Sequence, residues 1–358
     1  MEIKELLRDE IKNLIPYEAN QIDCKIKLDA NESPYDMPEI IKAEVSKLFA
    51  DNTGVNLYPD TDSNELRTAL AKKWNLDKDM FMVGNGSDQV IQVLTNTFVG
   101  KGDKVLCMAP SFSMYGLSAQ INGAEAINYH MKEETGYSID PREFIIQAKE
   151  IKPKVIYLCN PNNPTGSLIP IASIKRILEE CMDSIVVVDE AYNEFVNVSC
   201  VELLKTYKNL IILRTFSKAF GLAGVRCGYS IASKEITNYL NRVRPPYNLN
   251  SITQRVCTIT LKHQNLIDEY IAKINVECKW LYNELLKIDG IKVFESFANF
   301  FLIKVNNSQK IAKMLLEDGI LVRGYGASSE LKDCIRVSVG TREQNEAFAQ
   351  SLTNALKA

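Results

Sequence analysis

The sequence predicts an α/β protein, with a three-layer α/β/α large domain built on a mostly parallel sheet and a smaller α+β domain after it. Three observations carry this. The chain has 358 residues, more than one simple core usually holds. Its middle alternates short apolar, β-branched runs with amphipathic segments, the pattern of a sheet covered by helices on both faces. Its texture changes near residue 250, where a long charged helical stretch gives way to short strands. The expected division is an N-terminal arm (1–30), a large domain (31–248) and a small C-terminal domain (249–358), with "RPPYNLN" (244–250) as the hinge.

In chain order, "MEIKELLRDEIKNL" reads as an amphipathic helix without the apolar centre of a signal peptide. "DSNELRTALAKKW" reads as a helix whose capping box pairs Asp62 with Glu65. "VGNGSDQVIQVLTNTF" (83–98) places glycines before a helix with Val90, Ile91, Leu94 and Phe98 on one side. "KVLCMAP" (104–110), "KVIYLCN" (154–160), "SIVVVDE" (184–190), "NLIILRT" (209–215) and "RCGYSIA" (226–232) read as strands buried on both faces. "DPREFIIQAKEI" opens with Asp140 as a cap, Pro141 at the first helical position and Glu143 placed to close the box. Residues 252–287 read as a long helical stretch. "FFLIKV", "SQKIAKMLLEDG" and "CIRVSV" then give strand, helix and strand.

Composition narrows the function. Hydrophobic residues make up 46% and charged residues 24%, as in ordinary globular proteins, and the net charge is −3. Nothing points to nucleic acid or a membrane surface as partner. The nine cysteines are scattered without CxxC spacing, which predicts reduced thiols in a cytoplasm and no metal site. The only histidines are His130 and His263. Acid–base chemistry must therefore fall to Lys, Tyr, Asp or Glu.

Ligands of open α/β sheets sit at the carboxyl ends of the strands. Three successive predicted strand ends carry "NPNNPTG" (160–166) with Asn163, "DEAY" (189–192) with Asp189 and Tyr192, and "RTFSK" (214–218) with Ser217 and Lys218. Taken singly, the first could be a plain turn, the second a helix cap and the third a solvated lysine. Their joint occurrence in order at strand ends is what chance explains poorly. The helix N-terminus at Ser87 and Asp88 offers free N–H groups and a positive dipole end suited to a phosphate. Gln89 stands where a dinucleotide fingerprint needs its third glycine, so that reading is set aside.

The pattern "PNNPTG … VVDEAY … TFSKAFGLAGVRCG" resembles the pyridoxal-phosphate aminotransferases of the aspartate aminotransferase fold. "NLIPY", "KLDANESPY", "YPD", "GNGSDQ", "PSFSMY" and "IRVSVGTRE" narrow the resemblance to the histidinol-phosphate aminotransferases. It runs through nearly the whole chain. It implies pyridoxal 5′-phosphate as cofactor, bound covalently through its aldehyde to Lys218. Asp189 would pair with the protonated ring nitrogen. Asn163 and Tyr192 would hydrogen-bond the phenolic oxygen, and Phe112 would stack on the ring. Ser217, Arg226 and the N–H groups of Ser87 and Asp88 would hold the phosphate. Arg336 would take the substrate α-carboxylate, with Tyr17 and Arg323 near the distal end of the substrate. Tyr58 would reach the phosphate of the neighbouring subunit in a homodimer with shared active sites. The implied reaction converts L-histidinol phosphate and 2-oxoglutarate to imidazole acetol phosphate and L-glutamate. Aromatic amino-acid transamination and threonine-phosphate decarboxylation are the alternatives on the same fold. Two departures stand out. Gln89 replaces the usual Glu, and "PYEANQ" lacks the Pro-Gly common after that tyrosine.

Overall fold

The computed structural model describes residues 2–12, 14, 22–50, 54–326 and 329–358. In chain order the first half comprises β1 (Ile26–Lys27), α1 (Glu39–Ala50), α2 (Asn64–Trp74), β2 (Phe81–Asn85), α3 (Gly86–Phe98), β3 (Lys104–Ala109), α4 (Met114–Ile121), β4 (Glu125–His130), α5 (Pro141–Ile151), β5 (Val155–Cys159), α6 (Ile171–Glu180) and β6 (Ile185–Asp189). There follow α7 (Asn193–Val196), β7 (Leu210–Thr215), β8 (Cys227–Ala232), α8 (Lys234–Val243), α9 (Ser251–Lys262), α10 (Gln264–Leu285), β9 (Ile291–Val293), β10 (Phe300–Val305), α11 (Ser308–Glu317), β11 (Ile320–Leu321), β12 (Arg323–Gly324), β13 (Cys334–Ser338) and α12 (Arg342–Lys357).

The five apolar runs predicted as strands are β3, β5, β6, β7 and β8. They lie in a seven-stranded sheet of order β2-β8-β7-β6-β5-β3-β4, in which β8 alone runs antiparallel to its neighbours. Residues alternate between the two faces, as the pleat requires. Leu106, Ile156, Leu158, Val186, Val188 and Ile212 face one core with α2, α5, α6 and α9. Val105, Val155, Tyr157, Val187, Ile211 and Leu213 face the other with α3, α4 and α8. This is why the runs read as continuously apolar.

A second, antiparallel sheet has the order β12-β13-β10-β9. Its core joins Phe301, Ile303, Ile335 and Val337 to Leu281 and Leu285 of α10, Ile311 and Leu315 of α11, and Phe348 and Leu352 of α12. β1 pairs with β11, so residues 26–28 are tied to this part of the chain. The helical stretch after residue 250 is two helices that meet at His263. Val256, Cys257 and Ile259 of α9 belong to the core of the large sheet.

Asp140 caps α5 through the N–H groups of Arg142 and Glu143, with Pro141 first in the helix. Glu143 does not close the box, since its carboxylate meets the Tyr129 hydroxyl at 3.5 Å. At α2 the capping carboxylate is Asp60, not Asp62. Asp60 accepts from the N–H groups of Asp62 and Asn64 at 3.0 and 2.7 Å, while Asp62 is drawn into an ion pair with Arg244 at 3.2 Å. The N-terminal segment is not a continuous helix. It forms two 3₁₀ turns, Ile3–Leu6 and Asp9–Ile11. Ile3 and Leu6 stay 79% and 65% exposed, and an amphipathic helix gains little without a surface to bury its apolar face. No described helix is long and apolar enough to cross a membrane.

Candidate active site

The parallel strands β5, β6 and β7 end side by side, and the residues just beyond them line one cavity of about 630 Å³. The loop after β5 brings Asn163 there. Its neighbours serve the loop itself: Asn160 pairs with the backbone of Ile169, and Asn162 donates to the Pro110 carbonyl and Thr165. The turn reading therefore holds for those two asparagines, while Asn163 faces the cavity.

Asp189, the last residue of β6, is buried. Its Oδ2 accepts from the Tyr115 hydroxyl at 2.7 Å and its Oδ1 from the Ala191 N–H at 3.1 Å. Burial raises its carboxyl to about 6 against the opposing pull of those two donors. Tyr192 is buried edge-on to Phe300, and its hydroxyl accepts from Asn31 Nδ2 at 3.0 Å. Burial drives its phenol well above the usual range.

Lys218 follows β7. Its Nζ donates to the Ala30 carbonyl at 2.8 Å. Burial, and then the charge of Arg336, lower its amine to about 8. That is the condition a lysine needs to act as a nucleophile or to move protons near neutral pH.

At one end of the cavity the start of α3 meets the segments that follow β7. Ser87 and Asp88 open α3, with Ser217 and Arg226 beside them. Arg226 reaches Asp88 at 3.0 Å and Ser217 Oγ at 3.5 Å. Two glycines make this possible. A Cβ on Gly86 would lie 2.4 Å from the Arg226 guanidinium, and one on Gly228 would lie 2.3 Å from the Ser87 nitrogen. Gly228 thus lets β8 run hard against the start of α3. Gly228→Ala is expected to cost about 3 kcal/mol or more, because the obstructing atoms are backbone and cannot swing away. Urea unfolding of the variant checks this, and an unchanged midpoint would contradict the packing described.

Arg336, on β13, also lines the cavity. It donates to Asn163 Oδ1 and to the Asp29 carbonyl, each at 2.5 Å, and its buried Nε has no partner. Arg323 is its cross-strand neighbour and also lines the cavity. Phe112 lines it too, edge-on to Tyr115. The structure so gathers Ser87, Asp88, Phe112, Asn163, Asp189, Tyr192, Ser217, Lys218, Arg226, Arg323 and Arg336 around one space. Tyr58 is not among them. It is 81% exposed and stacks on Tyr247 at 4.5 Å. Tyr17 lies outside the described residues.

Several site residues carried no role in the sequence reading. Tyr115 and Asn31 sat inside "PSFSMY" and "KLDANESPY", but nothing there said that they partner Asp189 and Tyr192. Behind the site, Arg214 is wholly buried between Glu190 (3.1 Å) and Glu194 (2.9 Å) and lies over the Trp74 ring. It bridges the ends of β6 and β7 from the face opposite the cavity. Gln89, the departure from the family pattern, accepts from the Asn85 N–H and from Asn248 at 2.7 and 2.8 Å. Its amide oxygen is the atom used, which a carboxylate would also supply.

Residues 23–352 match the family described as aminotransferase class I and II. A histidinol-phosphate aminotransferase of Ruminiclostridium cellulolyticum is 48% identical over 350 residues, covering 98% of each chain. One of Caldanaerobacter subterraneus subsp. tengcongensis is 41% identical over 354 residues, covering 99% of each. Among solved structures, the histidinol-phosphate aminotransferase of Sinorhizobium meliloti in complex with pyridoxal-5′-phosphate superposes with a TM-score of 0.89 at 22% identity, over 98% of this chain and 97% of that one.

Proposed function

Because the chain belongs to the aminotransferase class I and II family, we propose that it is a pyridoxal-phosphate-dependent transaminase whose amino donor is L-histidinol phosphate and whose acceptor is 2-oxoglutarate. The full-length likeness to curated histidinol-phosphate aminotransferases supports that substrate. The observation that carries the chemistry is a half-buried, low-pKa Lys218 and a buried Asp189 at adjacent strand ends in one cavity.

The donor set fits the cofactor. A planar heterocycle with a phosphate at one end needs an anion cradle, a ring face, a carboxylate for its nitrogen and a lysine for its aldehyde. Arg226, Ser217 and the start of α3 suit the phosphate. Phe112 suits the ring face, Asp189 the ring nitrogen, and Tyr192 with Asn163 the phenolic oxygen. When bound, pyridoxal phosphate supplies an electron sink for the bonds at the substrate's Cα. Asp189 holds positive charge at that ring nitrogen, which requires the carboxylate to be ionised. Lys218 Nζ would take the proton from the substrate's Cα and deliver it, on the same face, to the carbon that had been the cofactor's aldehyde. Arg336, with its unpartnered Nε, grips an oxyanion of the substrate and aims the Cα–H bond. Glutamate presents its α-carboxylate there. L-Histidinol phosphate presents its phosphomonoester, and Arg323 adds a second guanidinium beside the first.

The substrate is tested by comparing L-histidinol phosphate, phenylalanine and threonine phosphate in one coupled assay. The expected order puts the first far ahead. Equal or greater turnover of phenylalanine, or release of carbon dioxide from threonine phosphate, would overturn it. A second expectation concerns pH. Since the Lys218 amine is lowered to about 8, its neutral fraction grows from pH 6 to 9. Capture of pyridoxal phosphate by cofactor-free protein is therefore expected to accelerate over that range with a midpoint near 8. Stopped-flow absorbance reads this directly, and a flat profile would contradict it.

Assembly belongs to the same proposal, as does a cytoplasmic place of action. Tyr58 is exposed on its own chain, so its hydroxyl is offered to a second copy rather than to its own cavity. In a two-fold homodimer each site then takes Lys218 from one subunit and Tyr58 from the other. Lys218→Ala and Tyr58→Ala subunits, both impaired as homodimers, should regain activity on exchange, up to about half a wild-type dimer per heterodimer by site counting. If exchange is demonstrated and activity stays absent, Tyr58 does not act across the interface.

A further inference from the structure

The segment from Lys27 to Glu32 runs along the cavity wall, and nearly every residue in it touches the site. The Asp29 carbonyl takes Arg336, the Ala30 carbonyl takes Lys218, and the Asn31 amide reaches the Tyr192 hydroxyl. Between these contacts stand three charged side chains with no part in the chemistry above. Lys27 Nζ lies 2.5 Å from Glu32 Oε2 and 3.0 Å from Asp29 Oδ1. All three line the cavity. Lys27 and Glu32 are each 44% exposed, so both remain within reach of a ligand in the opening. The ammonium is spent on Glu32. It also holds Asp29 Oδ1, which is itself shut off from solvent, as an ion pair.

This cluster answers a problem posed by the proposed reaction, on which the inference rests. The two substrates share an amine and an oxyanion arm, but their remaining arms are chemical opposites. One ends in an imidazole, whose N–H needs an acceptor. The other ends in a carboxylate, which needs a donor. A fixed cation would serve only the second, and a fixed anion would repel it. Among the described residues the cavity holds one other ion pair, Asp88–Arg226, at the start of α3.

We propose that Lys27, Asp29 and Glu32 form the subsite that reads the substrate's side chain. Glu32 accepts from the imidazole N–H of the donor, while Asp29 keeps hold of the ammonium. Lys27 turns from Glu32 to donate to the γ-carboxylate of glutamate or 2-oxoglutarate. The net charge that the subsite offers is set by which member faces the ligand, so one pocket serves both halves of the cycle. A hydrogen bond to a charged group is worth enough to move affinity about tenfold or more. A site built to pair with a polar group also discriminates against ligands that lack one.

The test measures each half-reaction separately by single-turnover absorbance of the loaded enzyme. Glu32→Gln is expected to lower kcat/KM for L-histidinol phosphate by about tenfold or more, chiefly through KM, while that for L-glutamate changes by less than about threefold. Lys27→Met is expected to do the reverse. Glutarate, a dicarboxylate that cannot react, should bind Lys27→Met about tenfold more weakly and Glu32→Gln no more weakly than wild type, as read by equilibrium titration. Parallel losses in both half-reactions, or none in either, would overturn the subsite. A wild-type enzyme inert toward L-histidinol phosphate would overturn the substrate reading instead. Glutarate binding to Lys27→Met would still decide the role of Lys27.

Discussion

Lys218→Ala is expected to abolish transamination while leaving the protein folded. The loss should be about 10⁴-fold or more, the upper end of what a proton-transferring side chain supplies, because the same amine also anchors the cofactor. The fold should survive because the ammonium makes one hydrogen bond, to the Ala30 carbonyl. Burial opposes its charge, as the drop from 10.5 to about 8 records. A depressed lysine costs stability below its folded pKa, and that cost fades as pH rises from about 8 towards 10.5. The cofactor-free variant should accordingly melt no lower than wild type at pH 7, and the difference should narrow towards pH 10. An unfolded variant, or one retaining more than about a hundredth of the activity, would contradict the role given to Lys218.

Asp189→Asn is expected to cost about 3–4 kcal/mol in transition-state stabilisation, as other preorganised electrostatic contacts do when one is removed. The change keeps the shape and removes the charge that holds a proton on the ring nitrogen. Activity within about tenfold of wild type would sink the assignment. The same variant should be more stable without cofactor. Asp189 titrates near 6 in the folded chain and near 3.8 unfolded, so its burial costs nothing below about 3.8 and its full penalty above 6. Asparagine carries no such penalty. Cofactor-free Asp189→Asn should then gain melting temperature over wild type at pH 8 and lose that gain towards pH 4. Circular dichroism melts at the two pH values read both halves of the expectation.

The large sheet was legible because its parallel strands are buried on both faces. Such strands announce themselves as unbroken apolar runs, and the residues after them fall at the ligand-binding edge whatever the helices do. That logic found Asn163, Asp189, Tyr192, Ser217 and Lys218 without any pairing information. What it could not find depends on contacts between distant segments. Tyr115 is 74 residues from the carboxylate it serves, and Asn31 is 161 residues from Tyr192. Neither pairing has a periodic signature. The capping signal at α2 failed for a local reason: three acidic residues, Asp60, Asp62 and Glu65, compete near one helix start, and Arg244, far along the chain, claims Asp62. The N-terminal turns failed because amphipathic spacing states only that a helix could bury a face. Lys27, Asp29 and Glu32 belong to "KLDANESPY", yet only folding shows that their side chains converge on the cavity opening.

The central claim is that one amine, Lys218, carries the cofactor. Loading the protein with pyridoxal phosphate, reducing it with borohydride, digesting it and sequencing the labelled peptide by mass spectrometry tests that claim at the level of a single atom. One phosphopyridoxyl group per chain is expected, on Lys218, and none after Lys218→Ala. A label on any other lysine, or a protein that takes up no label, would contradict it.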